Sequence, residues 1–507
     1  MSVRTRFAPS PTGYAHLGFV ARVLINYAMA KKNNGQFIWR NEDTDQERFV
    51  EGALEYNMKW MREFGLDWDE GPDKGGPYAP YTQTERLPMY KEAYEKLIEN
   101  DYAYKCFCTK ERLDELREMQ TMTKQQTRYD GLCRNLSQEE IDKNLKEGKP
   151  FTVRLKVPKD KKISFDDIIT HNHITWDSNE VDDMIIVKSN GIPTYHLAAM
   201  YDDVLMKITH VFRGSEWLSS TPVHMLVFEG LGIKKEEQPQ IGHFTVILDP
   251  ATPGKKFSKR NSNFKIDGLI IKGYLKEAIL NYLMLLGWAP KDNRELFTLQ
   301  EFINAFDLAG MQKSNPTWDQ KKMDWFNGHY SRQFSIDEYT NQFKDWINKY
   351  LLIASSEDIK SILVTETMLE SRVNTLIELA KKTLEDSDLS KKLALVQERA
   401  VNFWEVLQQI EFFYIKPENI NWAIKQLDKV QDKLPELKTK IHEMLSGLSE
   451  FAQEPWEAGM RKIAEETGLK AGDVFMVLRV AIVGGPFSPP LLESLQLLGK
   501  EEVLNRI

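Results

Sequence analysis

The stretch Pro9-Ser10-Pro11-Thr12-Gly13 constrains this chain more than any other. Two prolines and a glycine within five residues can neither continue a strand nor begin a helix interior. Before it, Val3 to Ala8 reads as a short buried strand. After Gly18 the apolar residues Val20, Val23, Leu24, Tyr27 and Ala28 fall at helical spacing. Asn33-Asn34-Gly35 is a stop signal, and Gln36 to Arg40 reads as a second strand. Strand, tight loop, helix and strand in this order predict a βαβ unit and a parallel sheet.

The 507 residues exceed what one core holds, at roughly 100–200 residues per domain. Met184 to Lys188, Thr209 to Arg213 and Ile241 to Leu248 read as further strands, with Thr221 to Leu231 as a helix. Between them, residues 105–181 have another texture: all three cysteines and several Lys/Asp-rich turns. We read this as an insertion that splits an α/β domain. Beyond Ser335 the pattern is helical: Phe403, Leu407, Ile410 and Tyr414 form a stripe that Pro417 ends, and Lys433 to Leu448 and Trp456 to Gly468 repeat it. The expected divisions are 1–104, 105–181, 182–250, 251–334 and 335–507.

Hydrophobic content of 42% with 28% charged residues excludes a mostly disordered chain. No apolar run reaches about 18 residues, so no membrane span is expected. The Met1-Ser2-Val3-Arg4-Thr5-Arg6-Phe7 start lacks a signal-peptide pattern. Three cysteines suit a reducing cytoplasm rather than a disulfide scaffold. The net charge of −8 argues against a chain coated in basic residues. A local surplus remains: Lys105 to Phe165 holds 15 Lys/Arg against 10 Asp/Glu, which reads equally as a solvated surface or a phosphate-facing patch.

The first loop delivers a strand to a helix N-terminus, where free N–H groups favour phosphate. His16 precedes that helix, and Gly18 lets a nucleotide approach the backbone. The phosphate-loop and dinucleotide glycine motifs are both absent. Far away, Lys255-Lys256-Phe257-Ser258-Lys259-Arg260 follows Pro253-Gly254. Four cations around a serine can neutralise a triphosphate. Taken alone, His16 reads as a cap and the basic hexamer as a solvated turn.

Together these residues carry a resemblance. Phe7 to Gly18 resembles the His-Ile-Gly-His signature region of the glutamyl-tRNA synthetases, and Lys256-Phe257-Ser258-Lys259-Arg260 resembles their Lys-Met-Ser-Lys-Ser signature. Arg40-Asn41-Glu42-Asp43-Thr44-Asp45 is similar to the family's Arg-Ile-Glu-Asp-Thr-Asp segment. Tyr195-His196-Leu197-Ala198, Asp202-Asp203 and Arg213-Gly214-Ser215-Glu216-Trp217 match in order and spacing. Ser488-Pro489-Pro490-Leu491 and Leu498-Gly499-Lys500-Glu501 resemble the close of a bacterial-type anticodon domain.

The resemblance implies a Rossmann-like catalytic domain, an inserted acceptor-end subdomain, a stem-contact region and an α-helical anticodon-binding domain. It implies ATP with Mg2+, L-glutamate and tRNA(Glu) as substrates, tRNA(Gln) as an open alternative, and a monomer. His16, Lys256, Ser258 and Lys259 would be catalytic. ATP would meet Pro9, Gly13, His16, Gly18, Glu216, Lys256 and Lys259. Glutamate would meet Arg6, Ser10, Glu42, Tyr195 and Arg213, with Glu42 taking the ammonium, Arg6 and Tyr195 the side-chain carboxylate and Arg213 the other. Without the resemblance, each arginine reads as a surface ion pair and Glu42 as part of a solvated acidic turn. Arg399 and Arg479 are candidate tRNA contacts.

Four residues depart from the family pattern: Ala15, Phe19, Asn41 and Ser215. A zinc knuckle is implied at Cys106, Cys108 and Cys133, but Asn135 stands where the fourth ligand, a histidine, belongs. Asparagine is a poor zinc ligand, so the expectation is against bound zinc. The rival readings are a glutaminyl-tRNA synthetase, a shortened tRNA-modifying paralogue and a tRNA-binding paralogue that has lost catalysis.

Overall fold

The computed structural model describes residues 2–252, 254–255, 265–365, 368–418 and 420–507. Its strands, in chain order, are β1 (Arg4–Phe7), β2 (Gln36–Trp39), β3 (Ala103–Cys106), β4 (Thr152–Leu155), β5 (Lys162–Asp166), β6 (His173–Asp177), β7 (Ile185–Val187), β8 (His210–Gly214) and β9 (Gln240–Phe244). The principal sheet has the order β2-β1-β8-β9, and every pairing in it is parallel. Its strands are almost wholly buried, as parallel strands covered on both faces must be. The helix Leu17–Lys32 joins β1 to β2, so the expected βαβ unit is present.

Residues 103–187 supply a three-stranded sheet, β3-β4-β7, and a hairpin, β5-β6. The Ile168 N–H, just beyond β5, donates to the Ile241 carbonyl of β9 at 3.2 Å, which ties the hairpin turn to the principal sheet. Buried Ile38, Leu97, Leu155, Phe165, Leu197, Val211 and Phe228 join one core across these elements.

Two expected boundaries shift. β9 ends at Phe244 instead of running to Leu248. Past it the Val246 N–H meets Asn315 Oδ1 at 3.0 Å and Leu248 pairs with Thr317, so the chain exchanges one partner for another. The helix from Phe403 ends at Ile410 and tightens into a 3-10 turn, Glu411–Phe413. The Glu411 carboxylate is gripped by both terminal nitrogens of Arg372.

The chain forms two compact units, Met1–Ile266 with Leu280–Asp319, and Asp267–Ile279 with Gln320–Ile507. The described part of the second unit is helical, around a core that includes Leu427, Ile441, Met460, Val477 and Leu495. Among the described residues no helix is long and apolar enough to cross a membrane.

Candidate active site

A cleft of about 960 Å³ opens above the carboxyl ends of β1 and β8, where open parallel sheets place their ligands. Pro9, Ser10, Gly13, His16 and Gly18 line it from the first loop. That loop is held from below: the Pro9 carbonyl accepts from the Glu42 N–H at 3.0 Å, and the Pro11 carbonyl from the Val50 N–H at 2.9 Å. Arg6, Glu42, Tyr195, Arg213 and Glu216 line the same cleft. Ten residues scattered between positions 6 and 216 thus meet in one cavity. Lys256, Ser258 and Lys259 lie outside the described residues.

His16 is the N-cap of the first helix, in extended conformation, and its carbonyl accepts from the Phe19 and Val20 N–H groups. Its ring also explains Gly18. A Cβ at that position would stand 3.1 Å from His16 Cε1 and 3.2 Å from Nδ1, so glycine leaves room for the imidazole itself. Phe19 packs against Phe7, with ring centroids 4.4 Å apart. Ala15 is fully buried, and its N–H donates to Asn57 Oδ1 at 2.7 Å.

Arg6, Glu42 and Arg213 are not on the surface. Arg6 is 4% exposed, Glu42 7% and Arg213 5%, which corrects the plain reading as solvated ion pairs and turns. Arg6 donates from Nε and one terminal nitrogen to the two oxygens of Asp203, at 3.0 and 3.3 Å. Arg40, fully buried, donates to Asp203 at 2.7 Å and to Glu42 at 2.8 Å. Deeper still, Arg86 and Tyr90 each reach Asp202 at 2.7 Å. Burial opposes the Arg40 charge, but Asp203, Glu42 and Asp202 overcome it and hold the guanidinium firmly protonated. Burial alone would raise Asp203; Arg40 and Arg6 hold it below the usual carboxylate range. Burial pushes Glu42 up, against the pull of Arg40 and Arg6. The Asp202-Asp203 pair therefore acts as a floor of fixed charge beneath the cleft.

Arg213 has different company. Its Nε donates to His243 Nε2 at 2.9 Å, one terminal nitrogen to His224 Nδ1 at 2.8 Å, and the other to Thr221 Oγ1 at 2.9 Å. Tyr195 closes this wall, its ring centroid 4.2 Å from that of Trp217 and tilted by 35°. Glu216 pairs with Arg22 at 3.0 Å and folds back over Gly214, where an added Cβ would stand 1.9 Å from its carboxylate.

The thiol cluster lies elsewhere. Metal-ligating atoms of Cys106, Cys108 and Cys133 lie within 4.8 Å of one another. The Tyr129 hydroxyl stands 3.4 Å from the sulfurs of both Cys106 and Cys108 and accepts from the Cys133 N–H at 2.9 Å. In the second unit, Arg399 donates to the Ser488 carbonyl at 3.1 Å. Arg479 lines a small pocket with Trp456 and Phe475.

Sequence reasoning missed Arg40, Tyr129, Asp167, His224 and His243. Arg40 and Asp203 stood inside quoted motifs, which was signal enough to ask what they bind. Asp167 and His243 had none: they are 76 positions apart and meet only through the hairpin turn.

Residues 2–325 match the family model "tRNA synthetases class I (E and Q), catalytic domain", and residues 343–507 match "Anticodon binding domain". A glutamate–tRNA ligase of Clostridium botulinum is 40% identical over 506 residues, spanning 100% of this chain and 97% of its own. That of Finegoldia magna is 36% identical over 515 residues, spanning 100% and 98%. A crystal structure of a glutamate tRNA ligase from Elizabethkingia meningosepticum, in complex with its amino acid, superposes with a TM-score of 0.80 at 34% identity, covering 100% of this chain and 98% of that one. The chain belongs to the class I tRNA synthetases and, within them, to the glutamate–tRNA ligases.

Proposed function

We propose that this chain joins L-glutamate to the 3′ end of tRNA(Glu) in two steps, by way of glutamyl-adenylate. The observation that carries this is the meeting of two buried arginines and one buried carboxylate in a cleft beside a helix start. Glutamate brings two carboxylates and an ammonium, so the charges match in sign and number. Glu42 takes the ammonium. Arg6, Tyr195 and Arg213 take the carboxylates, with Ser10 adding a hydrogen bond. The ATP phosphates lie over Pro9, Gly13, His16 and Gly18, at the N–H groups of the helix start, with Glu216 at the nucleotide's edge.

The carboxylate oxygen of glutamate attacks the α-phosphate of ATP, an anhydride bond forms, and pyrophosphate leaves. Catalysis here is positioning and electrostatic stabilisation. Lys256 and Lys259 stabilise the departing charge, and Ser258 shapes their loop. Mg2+ arriving with ATP would supply charge neutralisation for the phosphates and would need no dedicated protein cage. The terminal ribose hydroxyl of tRNA then takes the glutamyl group and AMP leaves. The inserted segment meets the acceptor end, and Arg399 and Arg479 meet the anticodon arm. No step is routed through the thiol cluster, where a zinc ion would find three thiols beside the Tyr129 phenol. The working form is a monomer in the cytoplasm.

The test is aminoacylation with labelled glutamate on purified glutamate and glutamine tRNAs in parallel. Charging of the glutamate tRNA supports the reading. Charging of both extends it to a relaxed anticodon reader. Binding of tRNA without charging overturns it in favour of the non-catalytic paralogue.

A further inference from the structure

Arg6, Arg40 and Arg86 each pair with a carboxylate. Arg213 does not: among the described residues its three nitrogens go to His243, His224 and Thr221. A guanidinium can only donate, so His243 Nε2 and His224 Nδ1 must both present lone pairs. His243 then carries its proton on Nδ1, which faces Asp167 Oδ2 at 2.7 Å. His224 carries its own on Nε2, which faces His196 Nδ1 at 3.1 Å.

Asp167 is fully engaged. Its Oδ2 also accepts the His243 backbone N–H at 3.0 Å, and its Oδ1 takes the Ile169 and Thr170 N–H groups at 2.9 Å. All of this is buried: Asp167 3%, His243 4%, His224 0% and Thr221 0% exposed. Burial and the Arg213 charge hold His224 well below the ordinary imidazole value, and burial holds His243 below it, so both rings are neutral at pH 7. Arg213 lines the cleft, whereas Asp167, His243 and His224 do not.

We propose that Asp167, His243 and His224 form a positioning clamp that fixes the Arg213 guanidinium with no carboxylate in direct contact, so that it stays open to a substrate carboxylate and selects it over the matching amide. A carboxylate in place of either histidine would hold the guanidinium as well but would cancel its charge. A neutral imidazole of fixed tautomer holds it and does not. The clamp rests on Arg213, which has no carboxylate in direct contact, meeting the side-chain carboxylate of glutamate, where the family resemblance gave it the other one. Glutamine, isosteric and uncharged, leaves that cation unpaired in a buried site, which is the costly case.

The experiment is Asp167→Asn in the full chain. An amide nitrogen cannot accept. Turned toward His243, it forces the imidazole proton onto Nε2, against the Arg213 Nε–H. The glutamate KM should rise about ten- to a hundredfold, the loss of one charge-assisted hydrogen bond. The ATP KM and the kcat at saturating glutamate should hold, and the glutamate-to-glutamine ratio of kcat/KM should fall by the same factor. A merely structural role would lower the active fraction and leave that ratio unmoved. Nitrogen-15 NMR of histidine-labelled wild-type enzyme at neutral pH gives a second readout that needs no variant: His243 should be neutral and protonated on Nδ1. Protonation on Nε2, or on both nitrogens, overturns the clamp. If Arg213→Gln leaves the glutamate KM unchanged, the glutamate-contact reading itself is wrong. If Arg213→Gln raises it and folded Asp167→Asn does not, the clamp alone fails.

Discussion

Two arginines, both buried behind the same cleft, are solvated by the protein in opposite ways. Arg40 is sealed among Asp203, Glu42 and Asp202. Arg213 is held by two imidazoles and a hydroxyl. Arg40, compensated by carboxylates and absent from the cleft lining, does structural work. A buried cation with neutral partners is held in place and still seeks an anion. The difference separates the floor of the site from its reading head.

The contrast predicts that the two arginines fail differently. Arg40→Gln should show the largest stability effect. It leaves Asp203 and Glu42 buried without their main cation, at about 3–5 kcal/mol, read as a lowered midpoint in urea. Arg213→Gln strands no carboxylate, so its stability loss should be smaller, about 1–3 kcal/mol for the buried hydrogen bonds it no longer makes. Its main loss should fall on glutamate kcat/KM, by about a hundredfold or more. Equal destabilisation by the two substitutions would break the comparison.

Glu42→Gln should act between these cases. It removes the proposed partner of the substrate ammonium but keeps a group that can bond Arg40. Glutamate KM should rise about tenfold in initial-rate assays, with little change in the ATP KM.

The last effect concerns pH and is absent at neutrality. Burial, and then the Arg213 charge, lowers His196 to about 4. In the unfolded chain it titrates at about 6.5. Between those values the unfolded state binds a proton that the folded state refuses. Stability is therefore lost as pH falls from about 6.5 toward 4, with a slope approaching about 1.4 kcal/mol per pH unit for this group. Folded His224 and His243 are lowered too, and add in the same direction. His196→Gln should flatten this limb in denaturant titrations at stepped pH. Parallel limbs for wild type and variant would remove His196 from the account.

Much of this architecture was readable because the determinants are local. Pro9, Pro11 and Gly13 break the chain wherever they stand, and the spacing of Val20, Val23, Leu24 and Tyr27 makes a helix with one buried face. The ends of β9 and of the Phe403 helix were misjudged because distant partners decide them: Asn315 and Thr317 in one case, Arg372 in the other. The charged residues of the cleft were named from motif resemblance, but their burial was not visible. Arg40 and Glu42 sit in a polar run, Arg40-Asn41-Glu42-Asp43, that alone reads as a solvated turn. Nothing local marks it as the floor of a site. The Asp167–His243–Arg213 chain left no trace in periodicity or composition, since it joins an inserted hairpin turn to the ends of two strands.

The central claim is that Arg213, with no carboxylate in direct contact, makes this cleft a reader of glutamate. The most direct measurement is kcat/KM for glutamate and for glutamine in tRNA charging, in wild type and in Arg213→Gln. The account predicts strong preference for glutamate in the wild type, and a preference that collapses in the variant through loss of glutamate activity. A wild type that charges both amino acids comparably, or a variant that keeps the full preference, would contradict it.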